Sequence, residues 1–512
     1  MRVKVKMAKA GGSSRHVEVE RKFDVEGATV LPSFDGLWAV TRIERLPTQI
    51  LEAVYFDTAA HDLATNLVTL RRRTGGPDAG WHLKLPSGPE ARTEVHSPLG
   101  SGTGATDVPA ELLDIVLAIV RDRPLVPVAR IATHRDVTMI HGIGGTALAE
   151  FCDDQVSAAR IDPGDGNPVD EQRWREWELE LIDGEVDDAT VLLDRLGNRL
   201  LDAGATPAGH GSKLARVLGD SASDRPGPPT DPVHRAVAEQ VERMLVWDRA
   251  VRADGHDAVH QMRVATRQIR SLLQAAEDQF GLTDDAWVLG ELRELASVLG
   301  TARDAEVLAE KYARALDALA PELVRGPVRQ RLVDGARRRY QTGLRRSLTA
   351  MRSARYFRLL DALDGLVVTQ PPAADDDRPP ANIASSYRKV RNATKTARAA
   401  QGAAHDDALH RIRKAAKRLR YVAAATGDEG VASRSKTIQT LLGDHQDSVV
   451  SQEHLMQQVD AAHAAGEDTF TYGVLYQQET AVAERCVAQL DVALKELRRS
   501  VRQARRGGRA GL

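Results

Sequence analysis

Glu18, Glu20 and Lys22 stand two residues apart in the run His16-Val17-Glu18-Val19-Glu20-Arg21-Lys22-Phe23. A strand alternates faces with period 2, so these three share one face, while Val17, Val19 and Phe23 fall mostly on the other. A polar strand is commonly no more than a solvated face. Two carboxylates and an ammonium in one row are also half of a site for a cation and a phosphate. The chain supplies candidates for the other half. Arg71 and Arg73 share a face in Leu70-Arg71-Arg72-Arg73, His82 and Lys84 share one in Trp81-His82-Leu83-Lys84-Leu85, and Arg92 and Glu94 share another. Arg130, Arg135, Glu150 and Asp154 follow. The run Trp174-Arg175-Glu176-Trp177-Glu178-Leu179-Glu180-Leu181 sets an acidic face against a Trp/Leu face, and Ser212-Lys213 closes the series. Basic residues recur on the middle segments and acids at both ends. Opposite-sign sets of this kind fit a polyanion bound through a divalent cation. Mg²⁺ prefers carboxylate and phosphate oxygens, and Arg and Lys neutralise the remaining phosphate charge. Phosphoryl transfer asks mainly for such positioning and charge stabilisation.

Strands must line these residues up. Strand candidates are 16–24, 39–45, 50–57, 67–74, 80–86, 90–96, 128–140, 146–152, 156–162 and 174–182. Turn signals at Gly75-Gly76-Pro77, Gly142 to Gly145 and Pro163-Gly164-Asp165-Gly166-Asn167 separate several of them. Helices are expected at 109–121 and 186–203. So many polar strands in succession point to a closed antiparallel barrel whose lumen is not a dry core. Arg130 and Arg135 differ by an odd number, so a regular strand sets them on opposite faces unless a bulge intervenes.

After a Pro/Gly/Ser/Asp-rich linker at 219–231 the texture changes. Ala, Leu, Arg, Glu and Gln dominate, and apolar spacing becomes 3 or 4, the pattern of an all-helical domain over 232–505. A second linker, 370–380, separates two copies of one pattern. The first is His260, Arg263, Arg267 and Arg270; the second is His410, Arg413, Lys417 and Arg420, with Lys414 and Arg418 beside it. Each copy is followed by a Leu-Gly pair, read as a turn, and an acid: Leu299-Gly300 with Asp304, and Leu442-Gly443 with Asp447. The agreement marks an internal duplication. At 100° per residue each set spans about 80° of helix surface, one basic stripe. Like charges at this spacing cost a few tenths of a kcal/mol per pair unless an anion lies against them.

The chain has 512 residues, a net charge of −2 and 4% aromatics. Few aromatics argue against base stacking, so nucleic acid is disfavoured as a partner. Cys152 and Cys486, far apart, give neither a disulfide framework nor a metal knuckle. A reducing cytosol is expected. Residues 1–15 read as a loose basic leader and 506–512 as a basic tail. No apolar run is long enough to cross a membrane.

Glu18-x-Glu20-x-Lys22, followed in order by Tyr55-Phe56-Asp57-Thr58, Leu70-Arg71-Arg72-Arg73, Leu83-Lys84-Leu85 and the acidic pairs, resembles the CYTH, or triphosphate tunnel metalloenzyme, superfamily over 16–218. The resemblance implies an antiparallel barrel whose tunnel binds a triphosphate with a divalent metal, Mg²⁺ or Mn²⁺. It implies metal ligation by Glu18, Glu20, Glu178 and Glu180, with Glu150 and Asp154. Lys22, Arg71, Arg73, Lys84, Arg130, Arg135 and Lys213 are the implied phosphate binders, and Glu18, Glu20 and Lys22 the implied catalytic set. Glu176, Glu178 and Glu180 compete for two of the expected places. The two His-led stripes resemble the CHAD domain, which binds inorganic polyphosphate in a basic pore between two helical bundles. That implies polyphosphate binding by His260, Arg263, Arg267, Arg270, His410, Arg413, Lys414, Lys417 and Arg420. The expected fold class is therefore α+β: an N-terminal antiparallel tunnel with flanking helices, then an all-α domain of two pseudo-repeated bundles. The expected function is a metal-dependent triphosphatase acting on inorganic triphosphate or a small organic triphosphate. Its expected place is the cytoplasm, with polyphosphate granules as one site of association. An adenylyl cyclase using the same tunnel and a non-catalytic polyphosphate-binding scaffold are the alternatives.

Overall fold

A computed structural model describes residues 14–88, 91–100, 107–162, 166–182, 189–219, 227, 229, 231–276, 280–283, 286–368, 383–425 and 427–507. Its ten strands are β1 (Ser14–Val25), β2 (Arg42–Arg45), β3 (Gln49–Asp57), β4 (Thr69–Thr74), β5 (Gly80–Pro86), β6 (Ala91–Pro98), β7 (Val126–His141), β8 (Ala147–Ile161), β9 (Pro168–Leu181) and β10 (Thr206–Pro207). Eight of them close a ring in the order β1-β6-β5-β4-β3-β7-β8-β9, with every pairing antiparallel. Closure comes from β1 changing partners midway. Ser14–Val19 pairs with β6, and Glu20–Val25 pairs with β9. The remaining two, β2 and β10, flank β7 and β1. Where separate strands at 146–152 and 156–162 were expected, β8 is continuous. No turn residue interrupts it, and it pairs with β7 from Ala147 to Arg160 with one bulge at the Ala147 end.

The alternation of the sequence sorts side chains between lumen and exterior. The exterior is apolar and needs a cover, which two helices supply: α2 (Ala110–Val120) and α3 (Ala189–Asp202), with the single-turn α1 (Asp62–Thr65) between β3 and β4. Leu112 and Val116 of α2 pack on Leu70, Trp81, Leu83 and Val95. Leu192, Leu193 and Leu196 of α3 pack on Phe23, Phe151, Trp177 and Leu179. Burying each such side chain contributes about 1.5–3 kcal/mol. Asp57, in the Tyr-Phe-Asp-Thr run, is buried and accepts from the backbone N–H groups of Thr58, Leu63 and Ala64, so it shapes the turn into α1. A fourth helix, α4 (Lys213–Leu218), was not legible because six residues carry no periodicity. Ser212 caps it, accepting from the Ala215 N–H at 3.1 Å. Its Leu214, Val217 and Leu218 join Tyr55, Ile131, Val156 and Ala158 in an apolar cluster.

The C-terminal part is helical: α5 (Pro232–Arg252), α6 (Ala258–Ala275), α7 (Trp287–Asp317), α8 (Gly335–Met351), α9 (Ala354–Val368), α10 (Ile383–Ala399), α11 (Ala403–Ala425), α12 (Glu429–Ala464) and α13 (Phe470–Gly507). The chain forms two compact units. One comprises Met1–Ala296 and Leu348–Gln370, the other Ser297–Ser347 and Pro371–Leu512. The duplication extends to the packing. In α6, Val259, Met262, Thr266, Ile269 and Leu273 are buried, and in α11, Leu409, Ile412, Ala416, Leu419 and Ala423 are buried at the same offsets from the leading His. The two Leu-Gly pairs are not turns. They lie inside α7 and α12. Gly443 permits close approach, because a Cβ there would stand 3.3 Å from the Arg413 guanidinium. No helix among the described residues is long and apolar enough to cross a membrane. The leader through residue 13, the turn at 163–165, most of the 219–231 linker, the 370–380 linker and the tail beyond 507 lie outside the described residues.

Candidate active site

The lumen holds a cavity of about 360 Å³ lined by Glu18, Glu20, Lys22, Arg71, Arg73, Lys84, Arg135, Glu150, Glu178, Glu180 and Lys213. Ring order polarises it. Adjacent strands β8, β9, β1 and β6 carry Glu150, Glu178, Glu180, Glu18, Glu20 and Glu94, and β5, β4 and β7 carry Lys84, Arg71, Arg73 and Arg135.

One end of the acidic wall is neutralised from within. Lys213 Nζ lies 2.8 Å from Asp154, 2.6 Å from Glu176 and 2.8 Å from Glu178. Arg135 makes a two-point pair with Asp154 at 2.8 and 2.6 Å and also reaches Glu178. Lys22 Nζ bridges Glu20 at 3.0 Å and Glu178 at 2.5 Å. Burial would raise the Asp154 and Glu178 carboxyls, but the Lys213 and Arg135 charges hold both below the usual carboxylate range.

The other end is only partly neutralised. Strand register sets Glu20 opposite Glu180 and Glu180 opposite Glu150, three carboxylates abreast. Like charges directly opposite repel. Burial, together with the charges of Glu18, Glu20 and Glu150, pushes Glu180 up to about 8. Glu20 goes the other way: burial would raise it, but Lys22 and Lys84 bring it down to about 2. Glu18 pairs with Lys84 at 2.5 Å and with His16 at 3.3 Å.

Facing these acids, Arg71 donates to the Tyr55 hydroxyl at 3.3 Å and Arg73 pairs with Asp78. The Nε–H groups of both arginines are buried and make no hydrogen bond among the described residues. Buried donors of this kind want an acceptor. His82 lies between Glu94 at 2.5 Å and the Asp78 carbonyl at 3.0 Å, and burial lowers its basicity.

Arg130 is the exception among the expected phosphate binders. Ile131, Thr133 and Arg135 line the lumen, no bulge falls between 130 and 135, and Arg130 is exposed on the outer face. All three of Glu176, Glu178 and Glu180 face inward, so none is displaced by a register step. The sequence put Glu176 in competition with Glu178 and Glu180 for two places, and gave no role to Glu94, Tyr55 or His16. For Glu94 the signal was present, because it shares a strand face with Arg92.

The expected polyphosphate binders are described helix by helix. On α6, His260, Arg263 and Arg270 are half-buried and Arg267 is exposed; Arg263 donates to the Ala296 carbonyl at 3.2 Å. On α11, His410 and Lys414 are exposed, while Arg413, Lys417 and Arg420 are half-buried. Arg420 donates to Gln439 at 3.3 Å, and Arg413 lies over Gly443. Burial and the charges of Lys414 and Arg413 lower the basicity of His410.

Comparison with known families follows this division. The CYTH domain model matches residues 16–199 and the CHAD domain model matches 235–456. This chain is a CYTH–CHAD protein. An uncharacterised protein, Rv2226, of Mycobacterium tuberculosis strain H37Rv is 64% identical over 509 residues, spanning 96% of this chain and 98% of the relative. An uncharacterised protein, MT2285, of the CDC 1551 strain matches equally. Among solved structures, PptA from Streptomyces chartreusis aligns at TM-score 0.41 and 18% identity, over 52% of this chain and 99% of that one. The CHAD domain of Ricinus communis aligns at 0.35 and 22%, over 52% and 90%. HpAC1 from Hippeastrum, described as having a dominant triphosphatase activity, aligns at 0.26 and 19%, over 39% and 94%. Alignments at these scores carry no weight about function.

CYTH proteins are triphosphate tunnel enzymes, some of them triphosphatases, and are metal-dependent; CYTH and CHAD domains are associated with triphosphate and polyphosphate binding. The CYTH–CHAD tunnel described above fits a divalent cation. Among the described residues two donor sets lie with all ligand atoms within 4.8 Å: His16, Glu18 and Glu94, and Asp154, Glu176 and Glu178. Lys213 and Arg135 already meet the second set. Among the described residues Glu150 and Glu180 make no ion pair; they stand next to Glu20 and Glu18, and oxygen donors of that type suit Mg²⁺ or Mn²⁺.

Proposed function

We propose that the protein is a metal-dependent triphosphatase whose CHAD helices bind polyphosphate. The observation that carries this reading is the polarity of the lumen. A row of three carboxylates without enough counter-charge faces two arginines with unpartnered buried donors, inside one cavity. A triphosphate with a divalent cation would meet both sets of charge at once.

Glu18, Glu20, Glu150 and Glu180 would hold the cation, which when bound neutralises phosphoryl oxygens and makes water a better nucleophile. Arg71 and Arg73 would take the phosphate chain through guanidinium N–H groups that line the lumen, and Lys84 and Lys22 would flank it. The fixed ion pairs of Lys213 and Arg135 keep the acidic wall in place, so little reorganisation accompanies charge development. The stripes on α6 and α11 would bind long polyphosphate chains through phosphate oxygens alone, which makes affinity salt-dependent.

The test is a panel of inorganic triphosphate, organic triphosphates and polyphosphate with Mg²⁺ or Mn²⁺, scored for phosphate, pyrophosphate and cyclic AMP. Metal-dependent phosphate release from a triphosphate is expected. Cyclic AMP from ATP would make the protein a cyclase. Polyphosphate binding with no turnover of any compound would make it a scaffold.

A further inference from the structure

The two helices that cover the barrel stand behind different parts of the tunnel wall. Leu112 and Val116 of α2 pack on Leu70 of β4 and Leu83 of β5, whose chain neighbours Arg71 and Lys84 line the lumen. Leu192 and Leu196 of α3 pack on Phe151 of β8 and Leu179 of β9, whose chain neighbours Glu150, Glu178 and Glu180 line it too. Successive strand residues point to opposite faces, so a cover that shifts on the outside carries the lumen residues with it. The position of the cations on β4 and β5 therefore follows α2, and that of the carboxylates on β8 and β9 follows α3.

The covers are anchored differently. Among the described residues the ion pairs of α3 stay within the barrel: Asp194 meets Arg21 at 2.8 Å. α2 is held from outside the barrel, by helices of the same compact unit. Arg121, just past its C-terminal end, sets one guanidinium nitrogen on Asp361 and another on Asp364 of α9. Two turns earlier, Asp114 accepts from Arg252 of α5 at 3.1 Å and from Arg352 at 3.0 Å. Arg252 is itself fixed by Asp248 at 2.6 Å, and Asp248 accepts from the Tyr356 hydroxyl of α9 at 2.8 Å. Arg121 is buried, and its backbone stands at φ +61°, a region that long side chains rarely adopt. Such a conformation persists where the surroundings over-determine it. Asp361 and Asp364, three apart on one helix face, supply that constraint.

We propose that Arg121 and Asp114 are positioning residues for the tunnel: through them α5 and α9 hold α2, and α2 holds Arg71 and Lys84 where a phosphate chain can be gripped. The inference rests on the triphosphatase reading. It adds that the phosphate grip depends on helices outside the barrel, whereas the carboxylate wall does not.

The test compares the full chain as wild type, as Arg121→Gly and as Asp361→Asn with Asp364→Asn. Glycine adopts a positive φ freely, so the first change removes the latch without adding strain. The second opens the seam from α9 and leaves the barrel sequence untouched. Hydrogen exchange is expected to quicken at least about tenfold in α2, β4 and β5 and to stay within about twofold in β8 and β9. Inorganic triphosphate, titrated in EDTA so that no turnover intervenes, should bind about tenfold more weakly, while binding of Mn²⁺ alone stays within about twofold. Exchange that is unchanged, or that quickens equally in both walls, would overturn the proposal. So would an unaltered triphosphate affinity, or equal losses for triphosphate and Mn²⁺. Failure of wild type to bind or turn over any triphosphate would end the triphosphatase reading instead, and the exchange pattern would then decide by itself whether the seam holds α2 and its strands.

Discussion

The tunnel and the helical stripes gather positive charge in opposite ways. In the tunnel, cations are buried and matched: Lys213 alone meets three carboxylates. On α6 and α11, basic residues are half-buried or exposed, and like charges stand side by side. Matched burial builds a rigid site but ties binding to stability. An exposed stripe can lose a charge with little effect on folding.

Lys213→Ala should break this contrast most visibly if it is wrong. It leaves Asp154, Glu176 and Glu178 facing one another with one fewer counter-charge, and breaking a buried pair costs about 3–5 kcal/mol. Arg267→Ala, on the exposed stripe, should cost no more than about 0.5 kcal/mol. Denaturant midpoints of the two variants check this. Equal losses would dissolve the distinction between the two regions.

The next effect is one of pH. Glu180 is raised to about 8 in the fold, against roughly 4.3 for an ordinary glutamate. Between those values the folded state holds a proton that the unfolded chain lacks. Glu180's contribution to stability is therefore full below pH 4 and is lost as pH rises through about 8, whereas the depressed carboxyls of Glu20, Asp154 and Glu178 lose theirs as pH falls below about 4. His16, also raised, by its bond to Glu18, acts in the same sense. The metal-free protein should lose roughly 2 kcal/mol between pH 6 and 9. Mg²⁺ or Mn²⁺ should restore much of it at pH 9 and little at pH 6, and Glu180→Gln should flatten the profile. Thermal melts across pH with and without metal decide; a flat wild-type profile would remove the crowded carboxylates from the account.

The smallest effect belongs to Arg130→Ala. Its guanidinium points outward, so triphosphate kinetics should stay within about twofold of wild type, as expected of a surface change. A large loss in kcat/KM would return Arg130 to the site.

Much of this was legible in the sequence, for a physical reason. Period-2 alternation puts Glu18, Glu20 and Lys22 on one face whatever the fold, and the same holds for Glu176, Glu178 and Glu180. Strand neighbours are another matter. That Glu20, Glu180 and Glu150 stand abreast depends on register among strands up to 160 residues apart in the chain. The switch of β1 from β6 to β9, which closes the barrel, is likewise a long-range event. The odd spacing of Arg130 and Arg135 showed that one must turn away, but only the register of β7 shows which. The Leu-Gly pairs looked like turns because glycine usually ends helices; here Gly443 serves packing against Arg413 instead.

The division of labour between tunnel and helices is tested most directly by two variants assayed in parallel. Glu20→Gln should abolish most metal-dependent phosphate release from triphosphate and leave polyphosphate affinity intact. Arg263→Ala with Arg413→Ala should weaken polyphosphate binding and leave triphosphate turnover intact. If both changes reduced both activities to the same extent, there would not be two sites.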